Sequence, residues 1–228
     1  MMMECKGLTK WFGAKKAVED LTLNLDKGKI YGLLGENGSG KTTWMKMAAG
    51  LTKPSRGEIL YEGHPLCYQD KAEIAYMSTE PFFYDFMNVA DVGTYYGDFF
   101  SDFDSERYTE MTEAMGLTRE MKVRNLSSGM NAKLKIAATL ARDAKLCLLD
   151  EPLNGIDYKA REEIIELIIR AADESKTFVI STHLLEEIES FIEYAVFIRE
   201  GRLVDKVNLE SERMKTGRSL TDIYVDIM

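Results

Sequence analysis

Long hydrophobic runs are missing from this sequence. No stretch approaches the ~18 consecutive apolar residues that a membrane-spanning helix needs, so contact with a membrane is expected only through a partner. The opening MMMECKGLTK has no apolar core of the kind found in signal peptides, and a cytosolic chain is expected. Cysteine is scarce, and Cys5, Cys67 and Cys147 are widely spaced with no pairing pattern. That distribution suits a reducing compartment and argues against a zinc site. Positive charge is the minority: 29 Lys and Arg stand against 38 Asp and Glu, a net charge of −9. General attraction to nucleic acid is therefore not expected, and any affinity for phosphate has to be local. Internal repeats, low-complexity tracts and flexible linkers are absent. The 228 residues suit one large α/β domain over 1–228, with room for a subdomain.

What is present is concentrated in IYGLLGENGSGKTT, residues 30–43. The apolar run Ile30–Leu34 reads as a buried strand that breaks at Gly35 and restarts as a helix near Lys41. The turn between them fits G-x-x-x-x-G-K-[ST], the Walker A pattern, through Gly35, Gly40, Lys41 and Thr42. Gly35, Gly38 and Gly40 carry no Cβ, so the backbone can curl and aim successive N–H groups into one concavity. The N-terminus of the following helix adds partial positive charge at the same spot. Lys41 then reaches the β- and γ-phosphates, and the Thr42 hydroxyl is a hard oxygen ligand suited to Mg²⁺. This is the chain's single phosphate loop.

Around it, residues 3–8 and 18–25 read as two strands of an antiparallel hairpin, with Trp11 and Phe12 in the turn. Either aromatic can stack on an adenine face or simply pack the hairpin. Residues 41–50 form the first helix, and strands follow over 56–63 and 74–79. From 81 to 125 aromatics recur at helical spacing: Phe82, Phe83, Tyr84, Phe86, Tyr95, Tyr96, Phe99, Phe100 and Phe103. They mark a helical subdomain, about 81–142 with the helix that follows. Its aromatics are either core or a docking surface for another protein. NLSSGMNAKLKIAATLA places Ser127 at the start of an amphipathic helix, as an ordinary N-cap or a second anion site. LCLLDEP, residues 146–152, is a buried strand delivering Asp150 and Glu151 to the end of a sheet, where ligands bind in open α/β folds. Asp150 can hold Mg²⁺ through water, and Glu151 can take a proton from an attacking water. Asp157 caps a helix over 158–173, and the strand TFVISTH ends in Ser181–His183. A lone histidine there has a structural reading as well as a functional one. Residues 194–205 read as a hairpin turning at Glu200–Gly201.

Five motifs in this order, GENGSGKT (35–42), LSSGM (126–130), LCLLDE (146–151), NGID (154–157) and STH (181–183), give the chain a resemblance to the ATP-binding subunits of ABC transporters over nearly its whole length. The resemblance implies a P-loop NTPase core of α/β class, with an antiparallel β subdomain and an inserted α-helical subdomain. It implies ATP and Mg²⁺ as ligands, and a head-to-tail homodimer holding each ATP between one phosphate loop and the partner's LSSGM turn. By motif position, Phe12 becomes the first choice for adenine stacking, with Trp11 second. Gly35, Glu36, Asn37, Gly38, Ser39, Gly40, Lys41, Thr42 and Thr43 surround the phosphates, and Thr42 and Asp150 hold Mg²⁺. Glu151 activates water, and His183 contacts the γ-phosphate. Ser127, Ser128 and Gly129 cap it across the interface, and Asp157 helps join the halves.

Two departures stand out. The family's LSGGQ turn has Ser128 and Met130 in place of a glycine and the glutamine. Thr79, in YMSTEP, occupies the position of a glutamine that senses the metal and water and relays to the membrane partner. A threonine hydroxyl is shorter and reaches a metal only through an intervening water, so weaker or altered coupling is expected, with Glu80 as a compensating group. The implied function is an ATPase at the cytoplasmic face of the cell membrane. It would power a separately encoded integral permease, an exporter of drug, peptide or lipid. An importer subunit is one alternative, and a soluble ABC ATPase acting on ribosomes or DNA is another. The single phosphate loop, the acidic balance and the lack of room for a coiled coil between Lys41 and Ser127 disfavour the latter. A P-loop kinase or GTPase would have no use for LSSGM or His183.

Overall fold

The structure is a computed structural model that describes residues 1–81 and 83–228. Phe82, one of the aromatics singled out above, lies outside the described residues. Strands β1 (Met3–Phe12) and β2 (Lys15–Leu25) form the expected hairpin. Both run longer than expected, so Trp11 and Phe12 end a strand and the turn itself is Gly13–Ala14. β1 also pairs with β4 (Arg56–Tyr61), which pairs with β5 (His64–Pro65), completing an antiparallel sheet in the order β2-β1-β4-β5.

The second sheet is built on β3 (Ile30–Leu34), β6 (Ile74–Met77), β7 (Leu146–Asp150), β8 (Thr177–Thr182), β9 (Tyr194–Arg199) and β10 (Arg202–Asn208). Their order is β10-β9-β3-β8-β7-β6, parallel throughout except for β10, which returns antiparallel to β9. β7 and β8 are buried along their full length, as befits parallel strands covered on both faces. The period of two sorts their side chains. Leu146, Leu148, Val179 and Leu33 join a core with β1, β2 and helix α1 (Lys41–Ala48). Cys147, Leu149, Phe178, Ile180 and Leu34 face a core built with the helices on the other side.

Those helices include α2 (Val89–Phe99), α3 (Ser105–Ala114), α4 (Ser128–Leu140) and α5 (Tyr158–Ala171). α2 begins later than the aromatic spacing suggested; Asn88 starts it, its side chain and that of Asp91 each accepting the other's backbone N–H. The aromatics divide. Tyr96 and Tyr108 are buried, while Tyr84, Phe86 and Phe99 are exposed, Tyr84 and Phe86 stacking on one another. α4 differs from its amphipathic expectation. α2, α3, α5 and β6 all pack on it, so Lys135, Ala138 and Thr139 are buried along with Leu134, Ile136 and Leu140. Beyond α6 (Leu185–Ile188), helices α7 (Leu209–Thr216) and α8 (Leu220–Ile227) follow the last strand. α8 returns Leu220 and Ile223 to the core beside β9.

Candidate functional site

β3, β8 and β7 lie side by side, and their C-terminal ends release the loop 35–40, Thr182–His183 and Asp150–Glu151 to one edge of the sheet. This is where a parallel sheet presents ligand-binding groups. The loop is pinned at Gly35, where an added Cβ would stand 2.1 Å from the Ile198 carbonyl oxygen. Only glycine lets the chain pass so close to β9. Glu36, Asn37 and Gly38 are exposed, and Gly40 leads into α1, whose first turn carries Lys41, Thr42 and Thr43. The N–H groups of Gly38, Gly40, Lys41, Thr42 and Thr43 find no acceptor among the described residues. The Ser39 hydroxyl is buried without a hydrogen-bond partner. A ring of unanswered donors at a helix N-terminus fits an anionic ligand such as the phosphates of ATP.

Lys41 is folded onto its own loop, its Nζ donating to the carbonyls of Gly35 at 2.7 Å and Glu36 at 3.1 Å. The same ammonium lies 3.6 Å from Glu151 Oε1. Glu151 Oε2 lies 3.0 Å from His183 Nδ1. The carboxylate therefore sits between the loop lysine and the histidine, and it favours the His183 tautomer that carries its proton on Nδ1. Glu151 has φ 49, a left-handed conformation uncommon outside glycine. Its N–H is held by the Ser181 carbonyl at 3.1 Å and by the Ser181 hydroxyl at 2.9 Å. A strained backbone clamped at a polar sheet end is a mark of functional sites.

Asp150 is fully buried and has three hydroxyls around it. Thr42 Oγ1 donates to its Oδ1 at 3.1 Å, Ser181 Oγ to the same oxygen at 2.7 Å, and the Tyr76 hydroxyl to Oδ2 at 3.2 Å. Burial, with the Asp150 charge second, pushes the Tyr76 hydroxyl well above the usual phenol range, so it remains a donor at any physiological pH. Threonine hydroxyl and carboxylate side by side are hard oxygen ligands, and this pair fits Mg²⁺.

The remaining candidates divide by place. Phe12 is 55% exposed with Lys10 Nζ 5.2 Å from its ring, whereas the half-buried Trp11 lies under the Arg56 guanidinium. Both rings carry a cation, and the greater exposure of Phe12 makes it the more accessible for stacking. Ser127 and Ser128 are exposed at the start of α4, with the Ser127 hydroxyl accepting from the Met130 N–H at 3.2 Å. Gly129 passes beside Asp157: an added Cβ would come within 3.2 Å of its Oδ2. Asp157 caps α5, accepting from the Ala160 N–H at 3.1 Å. Among the described residues, no hydrogen bond joins Ser127–Gly129 to the phosphate loop. Thr79 is exposed and makes no hydrogen bond to Thr42 or Asp150 among the described residues.

Sequence reasoning passed over Tyr76 and Lys135. Tyr76 reads as an ordinary strand aromatic, and Lys135 as the solvated position of an amphipathic helix. Only the burial of Lys135 at 8% exposure shows otherwise. That burial pulls its pKa down, with the Glu80 charge working in the opposite direction. Away from the site, His64, Cys67 and Asp70 bring a ring nitrogen, a thiol and a carboxylate within 4.8 Å of one another. The turn accounts for the placement of Asp70, whose Oδ2 accepts from the Cys67 N–H at 2.7 Å.

Comparison with known proteins agrees with this geometry. The protein family described as ABC transporter matches residues 18–154. The lantibiotic transport ATP-binding protein SrtF of Streptococcus pyogenes is 32% identical, the match covering 89% of each chain. The bacitracin transport ATP-binding protein BcrA of Bacillus licheniformis is 34% identical over 93% of this chain and 72% of its own. A solved ATP-binding subunit of an ABC transporter superposes with a TM-score of 0.88 and 25% identity, covering 100% of this chain and 99% of that one. A nucleotide-free ATP-binding cassette has a TM-score of 0.82 at 19% identity, covering 100% and 99%. On the matched motifs, the relatives and the shared fold, the chain belongs to the ATP-binding subunits of ABC transporters, a family of ATPases.

Proposed function

We propose that this chain hydrolyses Mg-ATP to drive a separately encoded membrane permease that exports a peptide or drug-like substrate. The observation that carries the catalytic half is the juxtaposition of Lys41, Glu151 and His183 at the mouth of an anion-ready loop. The phosphates of ATP replace the Gly35 and Glu36 carbonyls as acceptors for the Lys41 ammonium, which leaves the Glu151 carboxylate facing the reacting centre. Glu151 takes a proton from the attacking water, and His183, whose ring is 39% exposed, is oriented by that carboxylate to contact the γ-phosphate. Thr42 and Asp150 are the residues that would hold Mg²⁺, which neutralises phosphate charge when bound. Thr79, a water-mediated metal contact in this reading, stands in the exposed turn after β6. Phe12 stacks on the adenine, with Trp11 beside it as the lesser contributor.

The exposed Ser127–Ser128 turn completes the site in a second copy of the chain. It offers the free N–H groups of a helix start to the γ-phosphate, and Asp157 stands next to it at the junction. Because ATP would be buried between two copies, its binding favours the dimer and its hydrolysis releases it.

Export of a peptide or drug is supported by the printed roles of the two relatives, which are lantibiotic and bacitracin transport. No helix among the described residues is long and apolar enough to cross a membrane; in this reading the membrane partner is a separate chain and the ATPase works at the cytoplasmic face. A groove of about 770 Å³, lined by Leu51, Tyr68, Tyr96, Phe99, Phe100 and Asp102, gives that partner an apolar seat. Affinity purification from native cells in mild detergent, with nuclease treatment, should retain a polytopic membrane protein. Ribosomal proteins or nucleic-acid factors with no membrane partner would overturn the transport reading.

A further inference from the structure

The turn after β6 is fastened from an unexpected direction. Lys135 rises from α4, eight residues after Ser127. Its Nζ lies 2.7 Å from the Glu80 carbonyl and 3.2 Å from each of the Ser78 and Thr79 carbonyls. An ammonium has three N–H donors and here faces three carbonyl oxygens on successive residues. No backbone N–H reaches those three carbonyls among the described residues. Three carbonyl dipoles converging on one point repel each other, and a cation at the centre is what makes the arrangement favourable. On its far side the Glu80 carboxylate takes Lys46 of α1 at 3.0 Å, five residues beyond Lys41. The turn 78–80 thus bridges the helix that starts at the phosphate loop and the helix that starts at Ser127. It also follows the strand whose Tyr76 supports Asp150.

We propose that Lys135 is a positioning residue for the ATPase reaction: its ammonium locks the turn carrying Thr79 to α4. The phosphate-loop side and the Ser127 side of the site then shift as one piece. Thr79 has a short side chain, and its reach toward the reacting centre is set by where its backbone is held. In this chain the backbone is held by Lys135. The inference rests on the ATPase reading above. A solvated lysine at this position would leave the turn free to move without α4, and the burial of Lys135 speaks against that.

The test is a double-mutant cycle on the full purified chain, reading kcat and KM for Mg-ATP with Lys135→Met, Thr79→Ala and the pair. Lys135→Met should lower kcat by about ten- to a hundredfold, up to the loss that a misplacement of about 1 Å causes, and leave KM within about twofold. Adding Thr79→Ala to it should cost far less than Thr79→Ala alone, because coupled residues do not act additively. Lys135→Arg, which keeps several donors, should restore most of the rate. Additive effects, or an unchanged kcat in Lys135→Met, would overturn the proposal even where the parent hydrolyses ATP. If the parent shows no turnover, the ATPase reading fails, and hydrogen exchange still decides the latch. Exchange in segment 78–81 should quicken in Lys135→Met while α4 keeps its protection, and unchanged exchange would contradict it. Should Lys135→Met fail to fold, Lys135→Gln takes its place in both measurements.

Discussion

At the scale of single residues, Glu151 concentrates the chemistry. Its left-handed backbone is held by one N–H that donates to both the carbonyl and the hydroxyl of Ser181, and its two carboxylate oxygens face Lys41 and His183. Glu151→Gln keeps the shape and removes the base. Its kcat for Mg-ATP should fall by about 10²–10⁴, the usual worth of a positioned general base, with nucleotide binding retained; fluorescence titration against turnover separates the two. The cysteines make a second test. Burial pushes the thiols of Cys5 and Cys147 up from 9.0 to about 12, whereas Cys67 is exposed. At pH 8 a thiol reagent should therefore titrate one cysteine in the native chain and three after denaturation. The sign for stability follows: folding holds these two thiols neutral while the unfolded chain ionises them. Their contribution is complete below about pH 9 and is lost as pH rises toward 12.

At the scale of elements, the phosphate loop is fixed by close approaches. Gly35→Ala would drive a methyl into the Ile198 carbonyl at 2.1 Å, whereas a methyl at Gly38 meets nothing within 4 Å and contends only with φ 82. Gly35→Ala should abolish ATP binding and lower the melting temperature. Gly38→Ala should cost about 1–2 kcal/mol of strain and retain weaker binding, as calorimetry with ATP would show. This loop was readable in the residues because its constraints are local: a buried strand, glycines and a helix start adjoin in fourteen positions. Asp157 as a cap and the hairpin at Glu200–Gly201 were readable for the same reason. Trp11 and Phe12 went astray by a few positions, since Trp11 and Phe12 continue pairing with Lys16 and Lys15 across the strand. α4 was misjudged on burial. Its periodicity records one apolar stripe, but α2, α3, α5 and β6 enclose the rest, and that enclosure is a tertiary fact. Lys135 and Tyr76 were missed because each acquires a role only through residues more than fifty positions away.

At the scale of the whole molecule, the proposed nucleotide site draws on two turns of the chain, the phosphate loop and the Ser127 turn. The phosphate loop opens at the edge of the parallel sheet, and the Ser127 turn is exposed at the start of α4. In the proposed reading one copy offers each half of a nucleotide site, and a two-fold pair would satisfy both halves at once. Substrate choice lies with the permease in this account. The measurement closest to the central claim is light scattering on a sizing column of Glu151→Gln at saturating Mg-ATP. A stable dimer that falls to monomers when ATP is removed is the predicted result. A monomer at every ATP concentration would contradict a site shared between two copies.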